Sequence, residues 1–184
     1  MKAEDIKAWS ELVSAWVTTV ALIAGGCFGL VEYAHKNRSE EIKATLDFLD
    51  RYDKSPYLEA RQHVFALWHA NEYMDGVRIE AAKKNDDELA AMLLKNVADH
   101  RFAVDIDRLV EFYDALDACT CGRACEAEAV MRLFHRQASD INANAFPYIL
   151  EQRRKFNDAH IGAALHAIAL ARSEDDLMKR CEKG

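Results

Sequence analysis

Apolar and polar positions follow two regimes along this chain. From Leu12 to Val31 no residue carries a charge. At about 1.5 Å rise per residue such a helix is about 30 Å long, the thickness of a bilayer's hydrocarbon core. Trp9 and Trp16 lie toward one end and Tyr33 toward the other, where amphipathic rings favour the headgroup boundary. The pattern predicts a transmembrane helix over residues 12–34 behind a short flank, 1–11. A cleaved signal peptide fits less well, because the flank balances Lys2 and Lys7 with Glu4, Asp5 and Glu11, not the basic start such peptides need. Ala24-Gly25-Gly26-Cys27 has the outline of a lipoprotein cleavage site, but Phe28, Leu30 and Val31 carry the apolar run past it. A buried core helix rarely runs so far without one charge.

Beyond residue 34 the spacing becomes that of half-buried helices. Ile42, Leu46 and Leu49 predict one helix that breaks at residues 53–55. Ser55-Pro56 then reads as a cap and first helical position, since proline lacks a donor that has no partner there. The helix from Pro56 to about Asn71 offers Leu58, Val64, Phe65, Leu67 and Trp68 to a core, and residues 73–78, with Gly76, read as a connection. Asn85-Asp86-Asp87-Glu88 suits the positive end of a longer helix. Its stripe of Leu89, Leu93 and Val97 resumes at Phe102, Ile106, Leu109, Tyr113 and Leu116. The phase slips near residues 99–101, so that helix either kinks or buries two faces. Val130, Phe134, Ala138, Ile141 and Ala145 form a further stripe ending near Pro147, and Phe156, Ile161, Ala164, Leu165 and Ile168 a last one. No strand-like alternation bounded by turns occurs. The predicted architecture is all-α: one N-terminal transmembrane helix, then an irregular bundle of four to six helices over residues 35–172, and a polar, frayed tail over 173–184.

Composition sharpens this. Two prolines and seven glycines in 184 residues leave few turns and favour helices. The formal charge of −7 repels phosphate backbones, which excludes nucleic acid as a partner class. Lys36, Arg38 and Lys43 outnumber Lys2 and Lys7 around the apolar run, which by the positive-inside rule places the C-terminal domain in the cytoplasm and the chain in the cytoplasmic membrane. Five cysteines, an odd number, agree with a reducing compartment.

Candidate chemistry is sparse. Cys119-Thr-Cys121-Gly-Arg-Ala-Cys125 offers three thiols, one short of a tetrahedral zinc set, and His135 completes it only if the fold returns there. A disulfide such as Cys119–Cys125 is the alternative if the domain faces an oxidising space. The favoured reading is a plain turn, with Gly122 supplying a positive φ. Glu32 and His35 have di-iron spacing, but such bundles need a second Glu-x-x-His, and His160 has Asn157 three residues before it. Arg153, Arg154 and Lys155 read as a solvated face that could also meet anionic lipid. No Gly-x-Ser-x-Gly elbow or phosphate-cradling loop is present, so no catalytic residue and no cofactor are assigned. In the apolar run, Ser14, Thr18, Ala21, Gly25 and Gly29 share one helical face, the kind of surface on which helices associate in lipid.

Leu46-Asp47-Phe48-Leu49, Ser55-Pro56-x-Leu58-x-Ala60-Arg61 and Leu109-x-x-Phe112-Tyr113-Asp114 together resemble a group of small bacterial single-span proteins with a helical domain of unknown function. The resemblance spans about Ile42 to Tyr148. In that group the third motif reads Leu-x-Phe-Phe-Glu, from which Tyr113 and Asp114 depart conservatively, and it brings no catalytic residue. The expectation is a membrane-anchored interaction protein, an accessory or scaffold subunit meeting lipid and a membrane partner or its own copy through the span. The alternative is a redox- or metal-linked sensor built on the cysteine turn.

Overall fold

The computed structural model describes residues 16, 32, 33, 35–83, 86–99 and 102–182. The chain divides into two compact units, residues 1–40 and 41–184. In the first unit the described residues are helical, and Trp16 and Tyr33 are exposed. Among the described residues no helix is long and apolar enough to cross a membrane. The expected transmembrane helix over 12–34 is therefore not found among the described residues, most of that range lying outside them, and the fold they show is corrected to an all-α one without it. Residues 35–52, the first long described helical stretch, carry charges on every turn, which excludes them from hydrocarbon. Ser14, Thr18, Ala21, Gly25, Gly29 and Cys27 lie outside the described residues.

The second unit is all helical among its described residues. Helix α1 covers residues 41–52. It is followed by α2 (Tyr57–Trp68), α3 (Asn71–Ala82), α4 (Asp86–Asp99), α5 (Ala103–Cys121), α6 (Ala127–Phe156), α7 (Ala163–Leu170) and α8 (Glu174–Cys181). That is more helices than the four to six expected, because two stretches read as irregular are helical.

The long helix α6 is the spine, with α4, α5, α7 and α8 packed on it, while α2 lies against α5 and α3 against α4. Its predicted stripe of Val130, Phe134, Ala138, Ile141 and Ala145 is wholly buried. The helix does not stop at Pro147. It continues for nine more residues to Phe156, because Tyr148 and Ile149 keep the buried face going and offset the hydrogen bond that Pro147 cannot donate. The end comes at Asn157, whose left-handed φ of 50° is a geometry that asparagine tolerates better than most residues.

Helix α5 buries two faces, with Ile106, Leu109, Val110, Phe112, Tyr113 and Leu116 all interior. The predicted phase slip is the break between α4 and α5, where Phe102 N donates to Val97 O. At the centre, Phe112 meets Tyr52 at 4.7 Å, Tyr57 at 5.2 Å and Phe134 at 5.6 Å between ring centroids, within the range where tilted aromatic pairs attract.

Four further expectations are corrected. The inward face of α1 is Thr45, Phe48 and Tyr52, while Leu46 is 49% exposed. Burying Thr45 is possible because its hydroxyl donates to Glu41 O at 2.9 Å and accepts from Glu126 N at 3.0 Å, so no polar atom there is stranded. The connection expected at residues 73–78 is the middle of α3, anchored by the Tyr73 hydroxyl, which donates to Asn144 at 3.0 Å. The expected tail from Ser173 is α8, capped by the Ser173 hydroxyl, which accepts from Asp176 N, and docked by Leu177, 1% exposed. Phe156, expected inside, is 62% exposed.

Candidate functional site: the cysteine turn and the cleft beside it

Helix α5 ends at the cysteine-rich turn. Gly122 closes it, but with φ −74°, so the expected positive φ is not there. It falls on Arg123, at 56°. What favours glycine at 122 is space, since a Cβ there would stand 3.0 Å from Ala118 O and push on it. The chain then turns into α6, whose first turn is capped by Glu126, accepting from Ala129 N at 3.1 Å.

The four described cysteines form two disulfides, Cys119–Cys125 and Cys121–Cys181. The first closes the turn on itself. The second reaches across a sequence separation of 60 and ties the end of α8 to the end of α5. Cys119, Cys121 and Cys125 thus hold their sulfurs in bonds to one another or to Cys181, not as the thiolates that bind zinc. His135 sits half-buried on α6 with its carbonyl accepting from Ser139, and no group of three or more His, Cys, Asp or Glu able to hold a metal occurs among the described residues. Sequence reasoning weighed Cys119–Cys125 and missed Cys181. The available signal was the even set of four cysteines left once Cys27 is set apart.

A second link runs parallel to the Cys121–Cys181 bond. Asp117 lies one turn before Cys121 and on the same face of α5; its Oδ2 accepts from Arg180, the neighbour of Cys181. Arg180 also donates to Ala163 O, the first residue of α7. Burial pushes the Asp117 carboxyl above the usual carboxylate range and Arg180 opposes it. Asp117 Oδ1 is buried without a hydrogen-bond partner among the described residues.

Beside these links opens a cleft of about 550 Å³ lined by Cys121, His160, Ala163, His166, Ala167, Arg180 and Cys181. His166 is held by two contacts, Nδ1 at 3.1 Å from Asn142 Oδ1 and a stacked Phe146 ring at 4.9 Å. Burial, with help from Arg153, pushes its pKa down, so it is neutral near pH 7. His160 also borders a smaller cleft with Asp107, Glu111, Asp114 and Asp158. There burial raises Asp107, against the Tyr148 hydroxyl that donates to it at 3.0 Å. Arg153, expected on a solvated face, turns inward and donates to Ile161 O at 2.7 Å, while Arg154 pairs with Glu151.

The chemistry this arrangement supports is thiol–disulfide exchange at a half-exposed bond. The C-terminus of a helix is the negative end of its dipole and disfavours the thiolate that a catalytic cysteine needs.

No family model, curated protein or solved structure matches the chain. The resemblance over Ile42–Tyr148 rests on its three short motifs alone.

Proposed function

We propose that this chain is an interaction protein, an accessory or scaffold subunit whose helical domain is locked by disulfides and works in an oxidising compartment. The observation that carries the reading is the pairing of all four described cysteines, Cys119 with Cys125 and Cys121 with Cys181. Such bonds persist outside the reducing cytosol, which favours an extracytoplasmic domain over the cytoplasmic one that charge counting suggests. The interaction half of the reading is supported by how the polar side chains are spent. Tyr73 on Asn144, Tyr148 on Asp107, Arg153 on Ile161 and Arg180 on Asp117 each join two elements, the work of a rigid frame.

The test is to isolate the protein from its own cells after trapping thiols with an alkylating reagent, then combine mass mapping with light scattering. Both bonds intact, in a particle containing a stoichiometric partner or a second copy, is the expected result. Alkylated Cys121 and Cys181, or a strictly monomeric particle, counts against it.

A second reading, a redox-linked sensor, is favoured by one observation. Of the two disulfides, Cys121–Cys181 is the one that borders the open cleft.

A further inference from the structure

The two disulfides do different mechanical work. Cys119–Cys125 joins residues six apart within one turn, and Cys125 is 3% exposed. Opening it leaves α5 and α6 attached through their own cores. Cys121–Cys181 instead fastens a terminal helix. Helix α8 has eight residues and one buried side chain, Leu177, and a helix that short does not persist without tertiary support. Besides its packing on α6, its hydrogen bonds to other helices among the described residues are those of Arg180 to Asp117 and Ala163, and the side chain of Arg180 is 37% exposed, so water competes for them. Both cysteines of the bond line the cleft and are half-buried, not sealed, which opens a route for a reductant.

We propose that the Cys121–Cys181 disulfide is a redox-addressed latch: a dithiol reductant opens it, α8 swings free, and the apolar seat of Leu177 on the bundle is uncovered while α1–α7 stay folded. The proposal rests on the reading that the bonds are formed in the working protein. In the exchange, a thiolate of the reductant attacks one sulfur of the pair and the protein S–S bond breaks as a mixed disulfide forms. The reductant's second thiolate then displaces the protein sulfur. Two electrons and two protons end on Cys121 and Cys181, and the reductant leaves as its own disulfide. The latch is selective in that both of its cysteines border the cleft, whereas the companion bond pairs half-buried Cys119 with sealed Cys125.

The test uses the full chain and dithiothreitol as the probe. Free thiols are mapped by mass as the reductant is titrated, and amide hydrogen exchange is followed in parallel. Cys121 and Cys181 should become labelled before Cys119 and Cys125. At that stage the amides of α8 should exchange at least about tenfold faster, with those of α5 and α6 unchanged within about twofold. Trypsin should then cut after Lys179 and Arg180. The Cys121→Ser/Cys181→Ser variant should show the released α8 without reductant. If that variant does not fold, the titration of the unaltered protein decides alone. An α8 that stays protected after its bond is opened, or a bundle that unfolds together with it, overturns the latch. Protein that carries no Cys121–Cys181 bond when isolated overturns both the latch and the function proposed above, so the two failures are told apart.

Discussion

Removing each disulfide by itself should cost the domain very different amounts of stability. Cross-linking restricts the unfolded chain according to the length of loop it closes. For Cys121–Cys181, with its separation of 60, the chain-entropy relation yields about 4 kcal/mol. For Cys119–Cys125, with a separation of 6, it yields about 2 kcal/mol. The variants are Cys121→Ser/Cys181→Ser, at half-exposed positions where a hydroxyl stays solvated, and Cys119→Ser/Cys125→Ala, because a hydroxyl at buried position 125 would add its own cost. Urea unfolding followed by circular dichroism reads the difference. The first variant should lose about 1–2 M in midpoint and about 10 °C in Tm, roughly twice the loss of the second. Its m-value should fall slightly, since α8 is already exposed before global unfolding, and that same release lowers the free energy of the folded variant and brings the loss somewhat under the full entropic figure. A loss for the first variant equal to or smaller than that for the second would refute the reasoning, because it would mean that the long loop is not what the bond restrains.

Three other predictions concern single positions. At Gly162 the φ is +66° and an added Cβ would stand 2.9 Å from Ile149 Cγ2, so Gly162→Ala should destabilise by about 1–3 kcal/mol. Gly76→Ala, inside α3 with only Met92 Sδ at 3.8 Å, should stabilise by about 0.5–1 kcal/mol; thermal melts of the pair that move in the same direction would contradict this. Arg180→Gln leaves the Asp117 carboxylate without its cation, and should cost about 1 kcal/mol at pH 7, a figure discounted for the exposure of Arg180. The folded pKa of Asp117 is raised above its ordinary value of 3.8, and losing Arg180 raises it further. Protonation therefore favours the folded state, and the part of the deficit that comes from the charged Asp117 is relieved as pH falls through its folded pKa, leaving the loss of the Arg180 contact to Ala163 O. A deficit that grows on acidification in a urea series across pH 3–7 would reverse the assigned role of this pair.

What the sequence determined by itself was what local rules govern. Scarcity of glycine and proline made the domain helical. The acids Asp86, Asp87 and Glu88 marked the start of α4, the slip near residues 99–101 marked its end, and the stripe from Val130 to Ala145 named the inner face of α6. Each of these signals acts within a few turns of helix, so it can be read without knowing where the chain goes next. Tertiary structure alone decided the rest. The inward face of α1 depends on Glu126, far along the chain, meeting the hydroxyl of Thr45. Helix α6 passes Pro147 because Tyr148 and Ile149 find a core on the other side. The polar stretch after Ser173 becomes a helix because the bundle offers Leu177 a buried seat, and α5 offers Arg180 a carboxylate and Cys181 a partner sulfur. A helix of eight residues has too few hydrogen bonds of its own to outweigh the entropy of ordering it, so whether α8 exists at all was settled by contacts between residues 60 apart in sequence.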